Sequence, residues 1–284
     1  MKVVVTGASG KTGQIVVRKL LENSVDVRPV VRSEASKAKL KAAVPAVDPA
    51  NVEVVECFEK ASLVECFEKA SHLVILTSSM PRIIVSSLFG VVWGKLMGKK
   101  GVRPSFYFAE GQEPERVDWI GQREQIDAAK AAGIDHVILI SSMGGTDVDH
   151  FLNTMGNGRI LLWKRKAEKY LMASGLKYTI IHPGGLLPHP GPKRESCEGG
   201  KRELVVGVDD EHLNADDRTI PREDLAEVTV QCLHSAQVVN TSFDLVSKKE
   251  GQGVVFSTLA KLLQSAKSLH CDFSKPDLDS LLAA

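Results

Sequence analysis

Lys2-Val-Val-Val-Thr-Gly-Ala-Ser-Gly-Lys-Thr-Gly13 is the stretch on which the reading of this chain turns. Three consecutive β-branched residues, Val3 to Val5, suit a strand buried on both faces, as in a parallel sheet. The run breaks into a turn with glycines at 7, 10 and 13, and Val16, Val17, Leu20 and Leu21 then recur at helical spacing. Strand, glycine-rich turn and helix form the context of a dinucleotide fingerprint. Glycines let the backbone approach a pyrophosphate closely. The helix N-terminus offers that pyrophosphate unpaired N–H groups and the positive end of a dipole. The turn therefore nominates Gly7, Ala8, Ser9, Gly10, Lys11, Thr12 and Gly13 as cofactor-binding residues.

Gly10-Lys11-Thr12 also imitates the end of a nucleoside-triphosphate P-loop. That loop needs a glycine five residues before Gly10, and Val5 stands there, inside the strand. No later strand ends in an aspartate suited to magnesium, so triphosphate hydrolysis is not expected.

The 284 residues are 43% hydrophobic and 25% charged, enough for a substantial core in one or two domains. A net charge of +1 gives no sign of nucleic-acid or membrane affinity. Cys57, Cys66, Cys197, Cys232 and Cys271 show neither metal-ligand spacing nor a disulfide framework, which fits a reducing compartment and no metal site. With a strand beginning at residue 2, no targeting segment is expected before it. A cytoplasmic protein is expected, or one of the plastid stroma after removal of a transit peptide. The most apolar stretch, Ile83 to Met97, contains Ser86, Ser87, Gly90, Gly94 and Lys95 and falls short of the roughly 20 residues a membrane span needs. A lid over the ligand is expected there, with a membrane-surface or partner contact as the alternative.

Strands are expected at 2–6, 25–31, 52–55, 72–77, 135–141, 177–181 and 242–246. Helices are expected at 12–22, 34–42, 61–70, 117–132, 159–174, 222–235 and 256–268. This alternation implies an α/β doubly wound parallel sheet. Two long loops, 78–116 and 183–219, follow the carboxyl ends of expected strands, where open α/β sheets bind ligands. Val55-Glu-Cys-Phe-Glu-Lys-Ala-Ser62 recurs letter for letter as Val64 to Ser71. A nine-residue period would set the two copies on opposite sides of one helix. It reads as a local duplication without functional meaning.

The second expected strand runs into Arg32-Ser33, and Asp26 stands at its wrong end to hold a ribose 2′-hydroxyl. An arginine and a hydroxyl there suit a 2′-phosphate, with Lys37 able to add charge, so NADP is expected rather than NAD.

Thr6 to Gly13, Val31-Arg32-Ser33, Leu76-Thr77-Ser78-Ser79, Val117 to Gln122, Gln125 to Lys130, Ser141 to Gly145, Trp163-Lys-Arg-Lys-Ala-Glu168 and His182-Pro-Gly-Gly185 extend the pattern over nearly the whole chain. Together they resemble the atypical short-chain dehydrogenases/reductases, NmrA-like and extended-type relatives among them. Within that branch they look like a plant and algal group of NAD(P)-binding proteins. The resemblance implies a single Rossmann-fold NAD(P)-binding domain over 1–284. Its core would span about 1–182 and 221–247, with a substrate lobe and lid from 78–116, 183–220 and 248–284. It also implies cofactor contacts at Thr77, Ser78, Ser79, Ser141, Pro183 and Gly184.

Typical members use a Tyr-x-x-x-Lys pair for proton transfer. Counting back from Lys166 gives Leu162, which has no proton to donate, and neither Tyr170 nor Tyr178 replaces it by position. Glu56-Cys57 stands where the family has Gly-Asp for the adenine edge. By the implied register Lys166 holds the nicotinamide ribose, or else is a solvated helix lysine among Lys164, Arg165 and Lys169. Ser141 and Ser142 either polarise a substrate carbonyl or close the strand end. His182 is either a general acid or a satisfied strand-end histidine. Asp118 and Gln122 are expected to line the pocket, and Trp163 to be core or pocket wall rather than a chemical group.

Ser142, Lys166 and His182 are thus the catalytic candidates, and three readings stand. The first is an NADPH-dependent oxidoreductase on a small carbonyl, quinone or conjugated organic substrate. The second is a non-catalytic NADP(H) regulator or scaffold with a redox-dependent protein partner. The third is an isomerase or epimerase, for which no strong base is evident.

Overall fold

The computed structural model describes residues 1–56, 58–98, 101–187 and 198–283. The first βα unit forms as expected, with β1 over Lys2–Thr6 and α1 over Lys11–Glu22. Val3 and Val5 enter one core cluster and Val4 the other, because successive strand residues point to opposite faces of the sheet. All three are fully buried, and each such side chain contributes about 1.5–3 kcal/mol. Then follow β2 (Asp26–Val31), α2 (Glu34–Ala43), β3 (Glu53–Val54), α3 (Lys60–Phe67) and β4 (His72–Ile75). Beyond β4 the chain makes an excursion: β5 (Arg82–Ile83), α4 (Ser87–Leu96) and β6 (Phe106–Tyr107), with β5 and β6 paired antiparallel. A π-helical turn, Glu115–Ile120, leads into α5 (Gly121–Ala131).

The second half contains β7 (His136–Ile140), α6 (Phe151–Thr154), α7 (Ile160–Ala173), β8 (Lys177–Pro183), β9 (Gly185–Leu187), β10 (Leu204–Gly207) and β11 (Thr219–Pro221). After these come α8 (Arg222–Cys232), β12 (Thr241–Ser247), α9 (Leu259–Gln264) and α10 (Leu278–Ala283). The sheet order is β3-β2-β1-β4-β7-β8-β12-β11-β9, with β10 also pairing β12. The pairs from β3 through β12 are parallel, and β10 and β11 meet β12 antiparallel. This is the doubly wound α/β sheet of the Rossmann type, and the chain reverses direction across β1 and β4, where ligands bind in such folds. Among the described residues, 183–220 does more than form a loop: it adds β9, β10 and β11 to the sheet.

One face of the sheet is covered by α1 and α8, the other by α3, α5 and α7. Arg18 donates to both carboxylate oxygens of Glu223 at 2.8 Å, and Lys19 pairs with Glu227 at 2.7 Å, tying α1 to α8. The duplicated octapeptides do not face opposite sides of one helix. The first copy is mostly loop and supplies only the start of α3, whereas the second supplies its end. The helix stops at Phe67, and Lys69 adopts a left-handed φ of 60°.

Candidate functional site: the carboxyl ends of the strands

Each of the three glycines in the first turn has its own reason. Gly7 has φ +69°, and a Cβ there would lie 2.7 Å from the backbone of Leu76, so the turn can pass the end of β4 only as glycine. A Cβ on Gly13 would lie 2.3 Å from the Gly7 carbonyl, so α1 can approach the turn only without a side chain. At Gly10 a Cβ would meet the Gly7 carbonyl alone, at 3.1 Å, and would otherwise project outward. The turn is braced by Gly10 N–H donating to Gly7 O at 2.9 Å and by Gln14 Nε2 donating to Ser9 O at 2.9 Å. Gly10 caps α1 with no side-chain hydrogen bond, so the first amides of the helix stay open. Open amides, a positive dipole end and space in front of Gly10 fit a dinucleotide pyrophosphate.

At the end of β2, the exposed Arg32 donates from Nη1 to Gln112 Oε1, where the chain returns from its excursion. Ser33 is the N-cap of α2: its hydroxyl accepts from Ser36 N–H at 3.2 Å. Lys37, which could add charge here, donates from Nζ to Val52 O at 3.1 Å.

At the end of β4, Thr77 is held on both sides. Its carbonyl accepts from Gln122 Nε2 at 3.0 Å and its hydroxyl from Gln125 Nε2 at 3.2 Å, and Gln125 Oε1 accepts from Thr6 at 2.6 Å. Ser79 N–H donates to Asp118 Oδ2 at 3.0 Å, and the Ser79 hydroxyl donates to Gln112 O, closing the two feet of the excursion together. Ser78 donates to the Ser79 carbonyl at 3.3 Å. The other carboxylate oxygen of Asp118 lies 2.7 Å from Lys164 Nζ, and both side chains are buried. A buried pair of this kind is stable only while both members remain.

The ends of β7 and β8 carry a second buried network. Ser141 donates to Glu168 Oε1, while Glu168 Oε2 lies 3.2 Å from His182 Nε2 and 3.4 Å from Arg165 Nη1. The other ring nitrogen of His182 lies 3.2 Å from Asp244 Oδ1 and 3.7 Å from Cys271 Sγ. Burial alone would push the His182 pKa down, but Glu168 and Asp244 hold it well above the ordinary value. Burial alone would raise Glu168, yet the imidazolium and Arg165 hold its carboxyl at about 2. His182 is therefore an imidazolium clamped between two carboxylates. Ser142 donates to the Met143 carbonyl at 2.9 Å and lines a small cavity with Arg165, His182, Asp244 and Cys271.

Residues 7–236 match a protein-family model described as NAD(P)H-binding. The chain belongs to this NAD(P)H-binding family. Sanguinarine reductase of Eschscholzia californica is 44% identical over 263 residues, covering 89% of this chain and 91% of that protein. An uncharacterized chloroplastic protein of Arabidopsis thaliana is 45% identical over 255 residues, covering 89% of this chain and 71% of that one. A solved Bacillus halodurans structure of the NAD-dependent epimerase/dehydratase type superposes with a TM-score of 0.64 at 24% identity, over 88% of this chain and 95% of that one. The last comparison speaks for the fold alone.

Several residues assigned through the family resemblance stand differently in the structure. Lys166 Nζ lies 4.7 Å and 5.3 Å from the ring centres of Trp119 and Trp163. The residues of α7 that reach the strand ends are Arg165 and Glu168, and the buried lysine is Lys164. Three cations in a row on a helix point in three directions 100° apart, so the run itself does not say which one turns inward. Lys164 and Arg165 are both buried. Tyr170 donates to Asp127 at 2.7 Å on the side of α7 that meets α5. Tyr178 is the second residue of β8, at the opposite end of the strand from the site. Gly184 packs against the chain: a Cβ would lie 2.4 Å from Arg218 O, while the carbonyl of Pro183 accepts from Met143 N–H at 3.1 Å. Asp118, Gln122 and Ser141 do reach the strand ends. Glu168 and Asp244 are residues of this strand-end network that sequence reasoning passed over. Of the family's adenine-contact position, Glu56 is exposed, and Cys57 lies outside the described residues.

Proposed function

We propose that the protein is an NADPH-dependent reductase of a small carbonyl, quinone or conjugated organic molecule. The observation that carries this reading is the pairing of an open anion cradle at Gly10 with an arginine at the end of β2. The match to sanguinarine reductase over most of both chains supports the reaction class. The turn from Gly7 to Gly13 would hold the pyrophosphate, and Arg32 and Ser33 the 2′-phosphate, with Arg32 releasing Gln112 to do so. A charge-assisted contact of this kind favours NADPH over NADH. Thr77, Ser78, Ser79 and Ser141 would border the nicotinamide half, and Lys164 is the lysine we place nearest to it.

The cofactor supplies a hydride, and the chain supplies orientation and exclusion of water. Among the described residues no tyrosine stands at the end of β7 or β8 to deliver a proton, and His182 holds its own proton between Glu168 and Asp244. Acceptors that need no strong acid, such as quinones and iminium-like conjugated ions, therefore suit the site best, with water completing the proton balance. The chloroplastic description of the Arabidopsis relative favours a plastid location for this activity.

The closed network at Glu168 and His182 also favours a second reading, an NADP(H)-binding regulator with no turnover. One experiment separates the two: loss of nicotinamide absorbance is followed with quinones, aldehydes, enones, flavins and cationic alkaloids as acceptors. Turnover with the quinone or iminium class supports the reductase. Tight NADPH binding with no turnover in any class supports the regulator.

A further inference from the structure

We propose that the excursion between β4 and the π-helical turn docks the protein on an anionic lipid bilayer surface, through the outward face of α4. The inference goes beyond the reductase reading and does not depend on it. A helix in a globular protein turns its apolar stripe inward. Here the order is reversed. Phe89, Val92, Trp93, Leu96 and Met97 are between 61% and 79% exposed, and Leu88 is 40% exposed. These six fall in pairs four residues apart, at 88/89, 92/93 and 96/97, so they form one continuous outward stripe. On the inward side Gly94 is buried, and a Cβ there would lie 2.7 Å from the Val102 side chain. Met80 and Val85 extend the patch, each 72% exposed.

Charge decides the occupant. The sequence from 80 to 103 carries five Lys or Arg residues and no Asp or Glu, in a chain whose net charge is +1. Arg82 and Arg103 flank α4 at the two ends of the excursion, both exposed. A buried protein interface is depleted in charge. An apolar helix face with Trp and Phe, in a segment whose sequence carries cations and no acidic residue, is instead the chemistry of an interfacial helix on anionic lipid. Among the described residues no helix is long and apolar enough to cross the bilayer, so contact with the surface is the form available. Both feet of the excursion are fixed beside the strand ends, by Ser79 to Gln112 and Ser79 to Asp118. Docking through α4 would therefore bring the mouth of the cofactor cleft toward the membrane, within reach of apolar acceptors dissolved there.

The test is co-sedimentation of the full chain with vesicles of equal parts phosphatidylcholine and phosphatidylglycerol, against pure phosphatidylcholine. Each cation near the surface strengthens binding by roughly fivefold, so we expect on the order of 100-fold tighter binding to the anionic vesicles, weakening as salt rises. Phe89→Glu combined with Trp93→Glu should abolish sedimentation while leaving NADPH affinity unchanged, the latter showing that the variant is folded. Failure of the wild type to bind anionic vesicles overturns the proposal, as does equal binding by the double variant. A wild-type dimer in solution that this variant splits, without vesicle binding, would assign the face to a second copy of the chain and also overturn it.

Discussion

At the end of β1 the polar groups that face outward are left open, whereas at the ends of β7 and β8 the charged groups have already found one another. Gly10 leaves the first amides of α1 without a cap, and Arg32 at the next strand end is exposed and hydrogen-bonded to Gln112. Across the sheet, Ser141, Glu168, His182 and Asp244 form a closed chain of contacts, and Asp118 and Lys164 pair in the interior. Open groups bind. Closed groups position and hold shape, because an ion with a buried partner gives up its proton or its contact only at large cost. One half of the cleft is therefore built to take an anion, and the other half is not built to supply an acid.

Gly10→Val should break this contrast most severely. A branched side chain would fill the space before α1, so NADPH binding should disappear in a fluorescence titration while the melting temperature barely moves. Gly13→Ala makes the control, since its Cβ would press on the Gly7 carbonyl at 2.3 Å and should lower the melting temperature as well as binding. Normal NADPH binding by a folded Gly10→Val protein would place the cofactor elsewhere.

Next in size is the closed half. Asp118→Ala leaves the Lys164 ammonium buried without its partner, and urea unfolding should report a loss of about 3–5 kcal/mol. A loss below 1 kcal/mol would mean that Lys164 reaches water, and that this half of the cleft is more open than its geometry implies. Arg32→Ala should have a smaller and more selective effect: NADPH affinity should fall about tenfold, near 1.4 kcal/mol, with NADH unaffected. Equal loss for both cofactors would remove Arg32 from the 2′-phosphate. Smallest of all, Tyr170→Phe should change turnover by less than about twofold, because general-acid residues typically supply 10²–10⁴-fold and this hydroxyl is spent on Asp127. A 100-fold loss would mean that α7 is seated differently on the sheet.

The open half was legible in the sequence and the closed half was not, for the same reason. The turn from Gly7 to Gly13 depends on local backbone conformation, which residue type states directly. The strands at Val3–Val5 and Val137–Ile140 are continuous apolar runs of the kind a doubly covered sheet demands. The pairs at Glu168, His182 and Asp244 join residues 14 to 62 positions apart, and no local pattern announces them. On α7, packing selects Lys164 over Lys166 from a run of three cations, so a register carried over from relatives can miss the buried lysine. The duplicated octapeptide makes the point most plainly. Phe58 lies half-buried in a loop and Phe67 is fully buried at the end of α3, although both occupy the same position in identical segments. Nor did apolar composition reveal that α4 turns its hydrophobic stripe outward, since periodicity defines a face but not what covers it.

The pH profile of NADPH oxidation, with a quinone as saturating acceptor, tests most directly whether the closed half supplies no acid. Glu168 is held at about 2, so it stays ionised throughout the measurable range. His182 is raised well above its ordinary value by Glu168 and Asp244, so it stays protonated through neutral pH and releases nothing to the acceptor. The rate should be nearly flat from about pH 6 to 9, with no limb assignable to a protein acid. A profile falling tenfold per pH unit above a single pKa in that range, and flattened by Ser142→Ala or His182→Gln, would show that a side chain at the ends of β7 and β8 delivers the proton. That result would contradict the account.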